Sequence, residues 1–261
     1  MKVIPLQQNV GVGGARGIGV RESRADLIVL LDHDDLLVPH SLERLIELYD
    51  EACSQGRRIG VVAPNCHILT EEGMEETWAD RFGWRDVVDL DAMAKKNYIF
   101  ARAMFARAAH DDVGGFAAEC GSADDYDLWV RMLEAGWEVV PTREPLSVYR
   151  LHGGNQFLAR VRATDAGIVV AERALRRSAL SRGQRRSVKR QLRHLRALNK
   201  RARVQEELAV GRRVRALGLA MRAAPFGAVA LLQAPDRWGE WAGELLARRA
   251  RPAGGLHRDP R

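Results

Sequence analysis

Three carboxylates, Asp32, Asp34 and Asp35, crowd around His33 in the run IVLLDHDDLLVP over residues 28–39. Carboxylates this close repel one another unless a cation sits among them. A hard divalent ion with oxygen ligands, Mg²⁺ or Mn²⁺ carrying a diphosphate, would satisfy them. A solvated turn favoured by the dipole of the following helix would do so without a ligand. A second acidic cluster, DDYDLWVR over residues 124–131, sets Asp124 and Asp125 just before a helix and Asp127 in its first turn. The helix dipole accounts for some of these acids. A carboxylate held at a helix start beside a cavity is also suited to act as a general base. Downstream, YRLHGGN puts His152 in a Gly-rich loop after a strand. Upstream, the Gly-rich loop NVGVGGAR lets backbone N–H groups approach a diphosphate, and Arg16 adds a bidentate cationic partner.

The elements that must position these groups follow from hydrophobic pattern. Ile28 to Leu31 is an unbroken apolar run, expected as a strand buried on both faces of a parallel sheet. Pro39 and SLERLIELYDEA open a helix over Ser41 to Ser54. The acidic cluster therefore sits at the carboxyl end of a buried strand, where open α/β sheets bind ligands. Lys2 to Leu6 reads as a short strand before the Gly-rich loop, with a helix from near Ala15. Ile59 to Ala63 reads as another strand, and Asn65 to Lys96 as a substrate-shaping loop with short helices. Tyr98 to Phe105 alternates weakly, as a strand would. Tyr126 to Ala135 is a helix with Gly136 as C-cap. Trp137 to Val140 and Leu146 to Tyr149 read as two short strands separated by Pro141 and Pro145. After about Arg160 the pattern is helical and Arg-rich.

Charge is distributed unevenly along the 261 residues. Residues 1–159 hold 16 Lys+Arg against 26 Asp+Glu, a balance of −10, and residues 160–261 hold 25 against 8, a balance of +17. That split predicts an enzyme-like body with a basic tail that seeks an anionic partner. Cys53, Cys66 and Cys120 are widely spaced and form no CxxC, which points to a reducing compartment and away from zinc or a disulfide frame. The amino terminus has no signal-peptide core, and AAPFGAVALL is too short for a membrane span. The expected location is cytoplasmic, with peripheral attachment at the inner face of a membrane.

GGARGIG over Gly13 to Gly19, with Asp32 about 20 residues from the loop, also fits the glycine fingerprint of a short-chain dehydrogenase. None of Tyr49, Tyr98, Tyr126 or Tyr149 has the Lys four residues later that such an enzyme needs, so an NAD binder is a remote alternative.

Taken in order, NVGVGGAR, LDHDD, VGGF, DDYDLWVRMLEAGW and YRLHGGN closely resemble glycosyltransferase family 2, inverting GT-A-type enzymes that use nucleotide-sugars. The resemblance covers residues 2 to about 156. It implies an α/β fold, a Rossmann-like mostly parallel sheet with helices on both faces, over a catalytic domain of residues 1–156. A basic α-helical region, 157–261, follows. It also implies a nucleotide-sugar donor, Mn²⁺ or Mg²⁺, a glycan or lipid-linked acceptor and a role in polysaccharide assembly. By resemblance, Asp34 is the main metal ligand, Asp32 helps to hold metal and nucleotide, and His152 reaches the metal or diphosphate. Asn9, Gly11 and Arg16 line the donor site with Asp32 and Asp34. Asp125 is the catalytic base, with Asp124 as the second candidate. Gly17 stands where the family has Asn, and Asp124–Asp125 replaces its Glu–Asp pair. The family's first two strands, ending in Pro-Asn and DDGS-type residues, have no counterpart. The expectation is an N-terminally incomplete domain, from a misassigned start or a truncation, and an inactive remnant is one alternative.

The tail has a reading of its own. Residues 160–215 hold 18 Lys+Arg against 4 Asp+Glu, with Leu and Val at helical intervals. Such a helix packs on the body as a solvated appendage, or lies at an anionic lipid surface with Trp238 and Trp241 in a shallow apolar anchor. Nucleic-acid binding through the arginines is the alternative function of another class. The tail has no recognised nucleic-acid motif and few aromatics, so nucleic acid is not expected.

Overall fold

The computed structural model describes residues 2–100, 102–152, 160–177 and 180–209, with three isolated residues beyond (212, 215 and 219). In chain order these form α1 (Gly11–Glu22), β1 (Leu27–Val29), β2 (Leu36–Leu37), α2 (Ser41–Ser54), β3 (Ile59–Thr70), β4 (Gly73–Thr77), α3 (Trp78–Phe82) and α4 (Leu90–Met93). After them come β5 (Met104–Ala106), α5 (Arg107–Asp112), a 3₁₀ turn (Ala118–Ala123), α6 (Asp124–Glu134), β6 (Glu138–Arg150), α7 (Arg160–Arg176) and α8 (Arg182–Ala209). The sheet order is β1-β5-β3-β6-β2, with β4 hairpinned onto β3.

The fold is α/β, with helices on both sheet faces. Alternation along the strands sorts the two cores. Val61, Ala63 and Phe105 face the larger core with α6, α7 and α8, whereas Val62 and Met104 face α2 through Leu45 and Ala52. The sheet is mixed: β3 and β6 form its long parallel pair, while β1–β5, β3–β5, β3–β4 and β2–β6 are antiparallel.

Several local expectations change. Among the described residues β1 is an edge strand paired only with β5, and its apolar run is not buried on both faces; Val29 is partly covered and Leu31 is 49% exposed. Lys2 to Leu6 is not a strand, because among the described residues no neighbouring strand offers its backbone a ladder. The two short strands expected around Pro141 and Pro145 are one, β6. Pro has no N–H to give, and the β3–β6 register shifts beside Asn65 instead. There the Asn65 amide donates to the Arg143 carbonyl at 3.1 Å and its oxygen accepts from the Cys66 and Ala79 N–H groups.

The start of α1 also moves. The stretch GGARGIG is helical from Gly11 onward rather than a loop, with the Asn9 side-chain oxygen accepting the Gly11 N–H at 2.8 Å. A nucleotide fingerprint needs its glycines in a strand-to-helix turn. That placement removes the geometric basis of the NAD reading.

The Arg-rich helices are packed into the body. Val170, Ala171 and Ala174 of α7, with Val188 and Leu192 of α8, belong to the core that holds Trp129 and Phe105. Arg173 of α7 and Arg177, just past its end, reach α6, where the fully buried Asp127 also binds Arg131 at 2.7 Å. Among the described residues no helix is long and apolar enough to cross a membrane.

Candidate active site

The site forms where the end of β1, the start of α6 and the end of β6 meet α1. Arg16, near the middle of α1 and 13% exposed at its side chain, joins the two acidic clusters. One terminal nitrogen donates to Asp32 Oδ1 at 2.9 Å, and the other to Asp124 Oδ1 at 2.9 Å. Asp32 and Asp124, in separate acidic motifs, thus share one guanidinium. Both of its terminal nitrogens are engaged by carboxylates, so Arg16 acts here as a brace between clusters.

Close packing makes that brace possible. Asp124 is fully buried, and a Cβ on Gly13 would lie 3.1 Å from its Cβ and 3.3 Å from its Oδ2. Only glycine leaves the carboxylate its place against α1. Asp124 is pinned by Arg16 at the head of α6 and has little room to give. Gly13→Val is therefore expected to cost about 1–3 kcal/mol, the usual range for overpacking, read as a lower midpoint in urea with an unchanged slope.

Asp125 follows in the same helical turn, with the Tyr126 N–H donating to its Oδ1 at 2.6 Å. It keeps a partly exposed edge while protein atoms surround the rest. Burial pushes its carboxyl up to about 7; Arg16 works against that and the charge of Asp124 adds to it. The cluster of Arg16, Asp32, Asp124 and Asp125 carries three acids for one cation, so a proton is retained most easily at Asp125. The dipole at the head of α6 stabilises the remaining charge.

Asp34 and His152 form the second node. His152 Nε2 lies 2.9 Å from Asp34 Oδ2, bringing the ends of the first acidic motif and of β6 together across 118 residues. Partial burial raises the Asp34 carboxyl, but the hydrogen bonds from His152 and from its own backbone N–H leave it below the usual carboxylate range. Arg150 donates through Nε to the Asp34 carbonyl at 3.1 Å. A carboxylate beside an imidazole is a donor pair that suits Mn²⁺. Ions that carry a diphosphate take one or two protein ligands and fill the rest of their shell from phosphates and water. Among the described residues no three His, Cys, Asp or Glu side chains gather into a ready-made cage. Asp34 and His152 fit an ion whose remaining ligands arrive with a substrate.

Asp35, the third acid of the motif, faces inward. It is 5% exposed, pairs with the buried Arg102 and accepts the Arg150 N–H at 3.0 Å. Burial raises its carboxyl while Arg102 and the Arg150 N–H oppose the shift. Arg102 also stacks 4.6 Å from the Tyr149 ring centroid. Its sequence context, ARAMFA, offers no signal of this role, whereas Arg150 is flagged by its place beside His152. Asn9 and Gly11 sit at the exposed head of α1, Gly11 with φ +73°. The structure thus joins Arg16, Asp32, Asp124 and Asp125 in one node and Asp34 with His152 in another, linked by the chain from Asp32 to Asp34.

Comparison with known proteins finds glycosyltransferases. Residues 1–116 match the Glycosyl transferase family 2 profile. The chain is 28% identical over 132 residues to the uncharacterized glycosyltransferase YwdF of Bacillus subtilis (strain 168), covering 49% of this chain and 47% of that protein. It is 34% identical over 73 residues to the succinoglycan biosynthesis protein ExoO of Rhizobium meliloti (strain 1021), covering 28% of this chain and 20% of that one. The chain spans about half or less of the length of these curated relatives. Among solved structures, mannosyltransferase PcManGT from Pyrobaculum calidifontis, in complex with GDP-Man and Mn²⁺, superposes with TM-score 0.51 and 17% identity. That match covers 94% of this chain and 60% of that one. S. aureus TarS 1-349 gives TM-score 0.50 and 14% identity over 84% of this chain and 63% of that one. At such identities the likeness carries the fold.

Proposed function

Residues 1–116 resemble glycosyl transferase family 2, and from that likeness we propose that the protein moves a sugar from a nucleotide-sugar donor to an acceptor hydroxyl with inversion. The observation that carries this reading is the single guanidinium of Arg16 binding Asp32 and Asp124, which unites a diphosphate-side acidic motif with a base-side one. Glycan or lipid-linked acceptors fit the kinship with a succinoglycan biosynthesis protein.

Asp125 is the base. Its carboxylate takes the proton of the acceptor hydroxyl as the acceptor oxygen bonds to the anomeric carbon and the bond from that carbon to the diphosphate oxygen breaks. One displacement inverts the anomeric centre, and no sugar–enzyme bond forms. Asp34 and His152 would hold a Mn²⁺ or Mg²⁺ ion, with Asp32 beside them; PcManGT with GDP-Man and Mn²⁺ supports that choice. When bound, such an ion neutralises charge that gathers on the departing diphosphate. Arg16 fixes Asp32 and Asp124 and keeps Asp125 from being repelled out of the site. Asp124, wholly buried, serves as its support rather than as the proton acceptor.

The test is release of nucleoside diphosphate from a panel of nucleotide-sugars with Mn²⁺, in the presence of glycan and lipid-linked acceptors. Turnover of one donor supports the reading, and no turnover of any donor with any acceptor removes it. The pH profile carries a second expectation. Because the base must be ionised and its carboxyl stands at about 7, transfer falls as pH drops through about 7. An acid limb centred near pH 4 would show that a carboxyl of ordinary acidity does the work.

A further inference from the structure

The outer face of α8 carries a row of unneutralised charge. Arg182, Arg186, Lys189, Arg190 and Arg193 are all exposed, and among the described residues none of them makes an ion pair or side-chain hydrogen bond. Their spacing of four, three, one and three residues sets them on one side of the helix, a row about 17 Å long. Three other cations of α8 are engaged: Arg185 donates to the Leu175 and Arg177 carbonyls, Arg196 pairs with Glu172 at 2.8 Å, and Arg203 pairs with Asp165 at 2.8 Å. The exposed row is not drawn into such contacts with the body.

The apolar side of α8 is already used. Val188, Leu192 and Ala202 are buried, and Leu195 lies against Gly167 of α7, where an added Cβ would come within 3.2 Å of it. An interfacial helix sinks its apolar face among acyl chains. Over Arg182–Arg193 this helix has no such face to offer, and the cations of the row point outward. Base-reading side chains are missing from the row as well, and α8 contains no Phe, Trp or Tyr on which bases could stack. The sequence after α8 turns apolar, AAPFGAVALLQ at 223–233, a composition suited to lipid and not to nucleic acid.

We propose that the Arg182–Arg193 face of α8 is a docking surface for an anionic lipid bilayer, held by charge alone. The surface goes beyond the transferase reading and does not depend on it. It would keep the protein at a membrane without a spanning segment, and the attachment would be reversible and salt-labile. Screening lengths of about 8 Å at physiological ionic strength leave headgroup contacts effective and more distant charge ineffective.

The test is co-sedimentation of the whole protein with phosphatidylcholine vesicles containing phosphatidylglycerol, at low and physiological salt. Each cation near an anionic surface is worth roughly a fivefold change in partition. Wild-type protein should pellet with anionic vesicles, not with pure phosphatidylcholine, and should dissociate as salt rises. Arg186→Glu/Arg193→Glu should weaken partition at least about 25-fold. Arg21→Glu/Arg24→Glu, the same change in net charge placed on and beside α1, should weaken it much less. Equal losses in the two variants, binding that survives high salt, or tighter retention on duplex DNA than on vesicles at the same salt would each overturn the proposal. Circular dichroism on each variant separates loss of docking from loss of fold.

Discussion

Asp125→Asn stops sugar transfer by about 10²–10⁴-fold and leaves the protein folded, with a melting temperature equal to or above that of the parent. The first half follows from the role of Asp125 as proton acceptor, since an amide cannot take the proton. The second half follows from its surroundings. A carboxyl that stands at about 7 in the folded chain, against about 3.9 when unfolded, loses stability as pH rises from about 4 to 7, because the folded state resists ionising it. Asn has no charge to bury, so that loss disappears above pH 7. Donor and Mn²⁺ binding stay near the parent value, because Asp34, His152 and Arg16 are untouched. A variant that transfers sugar at the parental rate would remove Asp125 from the reaction. Loss of transfer together with a fall in melting temperature would mark it as structural.

The second large effect is at Arg102. Arg102 and Asp35 are a buried pair behind the site, 5% exposed each, and among the described residues Asp35 has no other side-chain cation at hydrogen-bond distance. Arg102→Ala leaves that carboxylate alone in the interior, a change that typically costs about 3–5 kcal/mol. In a protein of this size the melting temperature should fall by about 10 °C. The sign with pH is definite. With Arg102 gone the folded Asp35 carboxyl rises further above its unfolded value, so the deficit is largest at neutral pH and shrinks as acid protonates it. Adding Asp35→Asn removes the stranded charge, keeps an acceptor for the Arg150 N–H, and should recover part of the loss. Calorimetric melting of the single and double variants from pH 5 to 8 checks both statements. A single variant as stable as the parent would mean that the pair contributes nothing.

These two residues also mark where sequence was legible and where it was not. Helix α2 spans Ser41–Ser54 as its apolar spacing and Pro39 require, because its pattern is local and its partners are apolar. Asp32, Asp34, Asp124, Asp125 and His152 stood out because acids beside apolar runs are conspicuous. Their meeting was not legible from spacing alone. It depends on Arg16, whose two partners lie 16 and 108 residues away, and on Gly13, which lets Asp124 approach α1. Arg102 carries no pattern, since an arginine between apolar residues is silent until its partner is known.

Three-dimensional pairing overrode local rules elsewhere. Glycines that usually break helices are carried inside α1, where Gly13 gains close contact with α6. Prolines that usually end strands are carried inside β6, because a bulge at Asn65 and its side chain supply the lost contacts. The Arg-rich tail is expected to pack on the body as a solvated appendage, and its Val170, Ala171, Val188 and Leu192 complete the main core. Long polar side chains hide a narrow apolar seam in composition, and only packing against α6 shows which face it serves. Residues 219–246, with Trp238 and Trp241, fall almost wholly outside the described residues.

The most direct test of the central claim is a Mn²⁺ titration followed by electron paramagnetic resonance of the free ion, with UDP or GDP present and absent. The account predicts one ion bound per chain when a nucleoside diphosphate accompanies it, at least about tenfold weaker binding without it, and a similar loss in Asp34→Ala. Equal Mn²⁺ uptake by the parent and Asp34→Ala, or no diphosphate-dependent uptake by either, would contradict it.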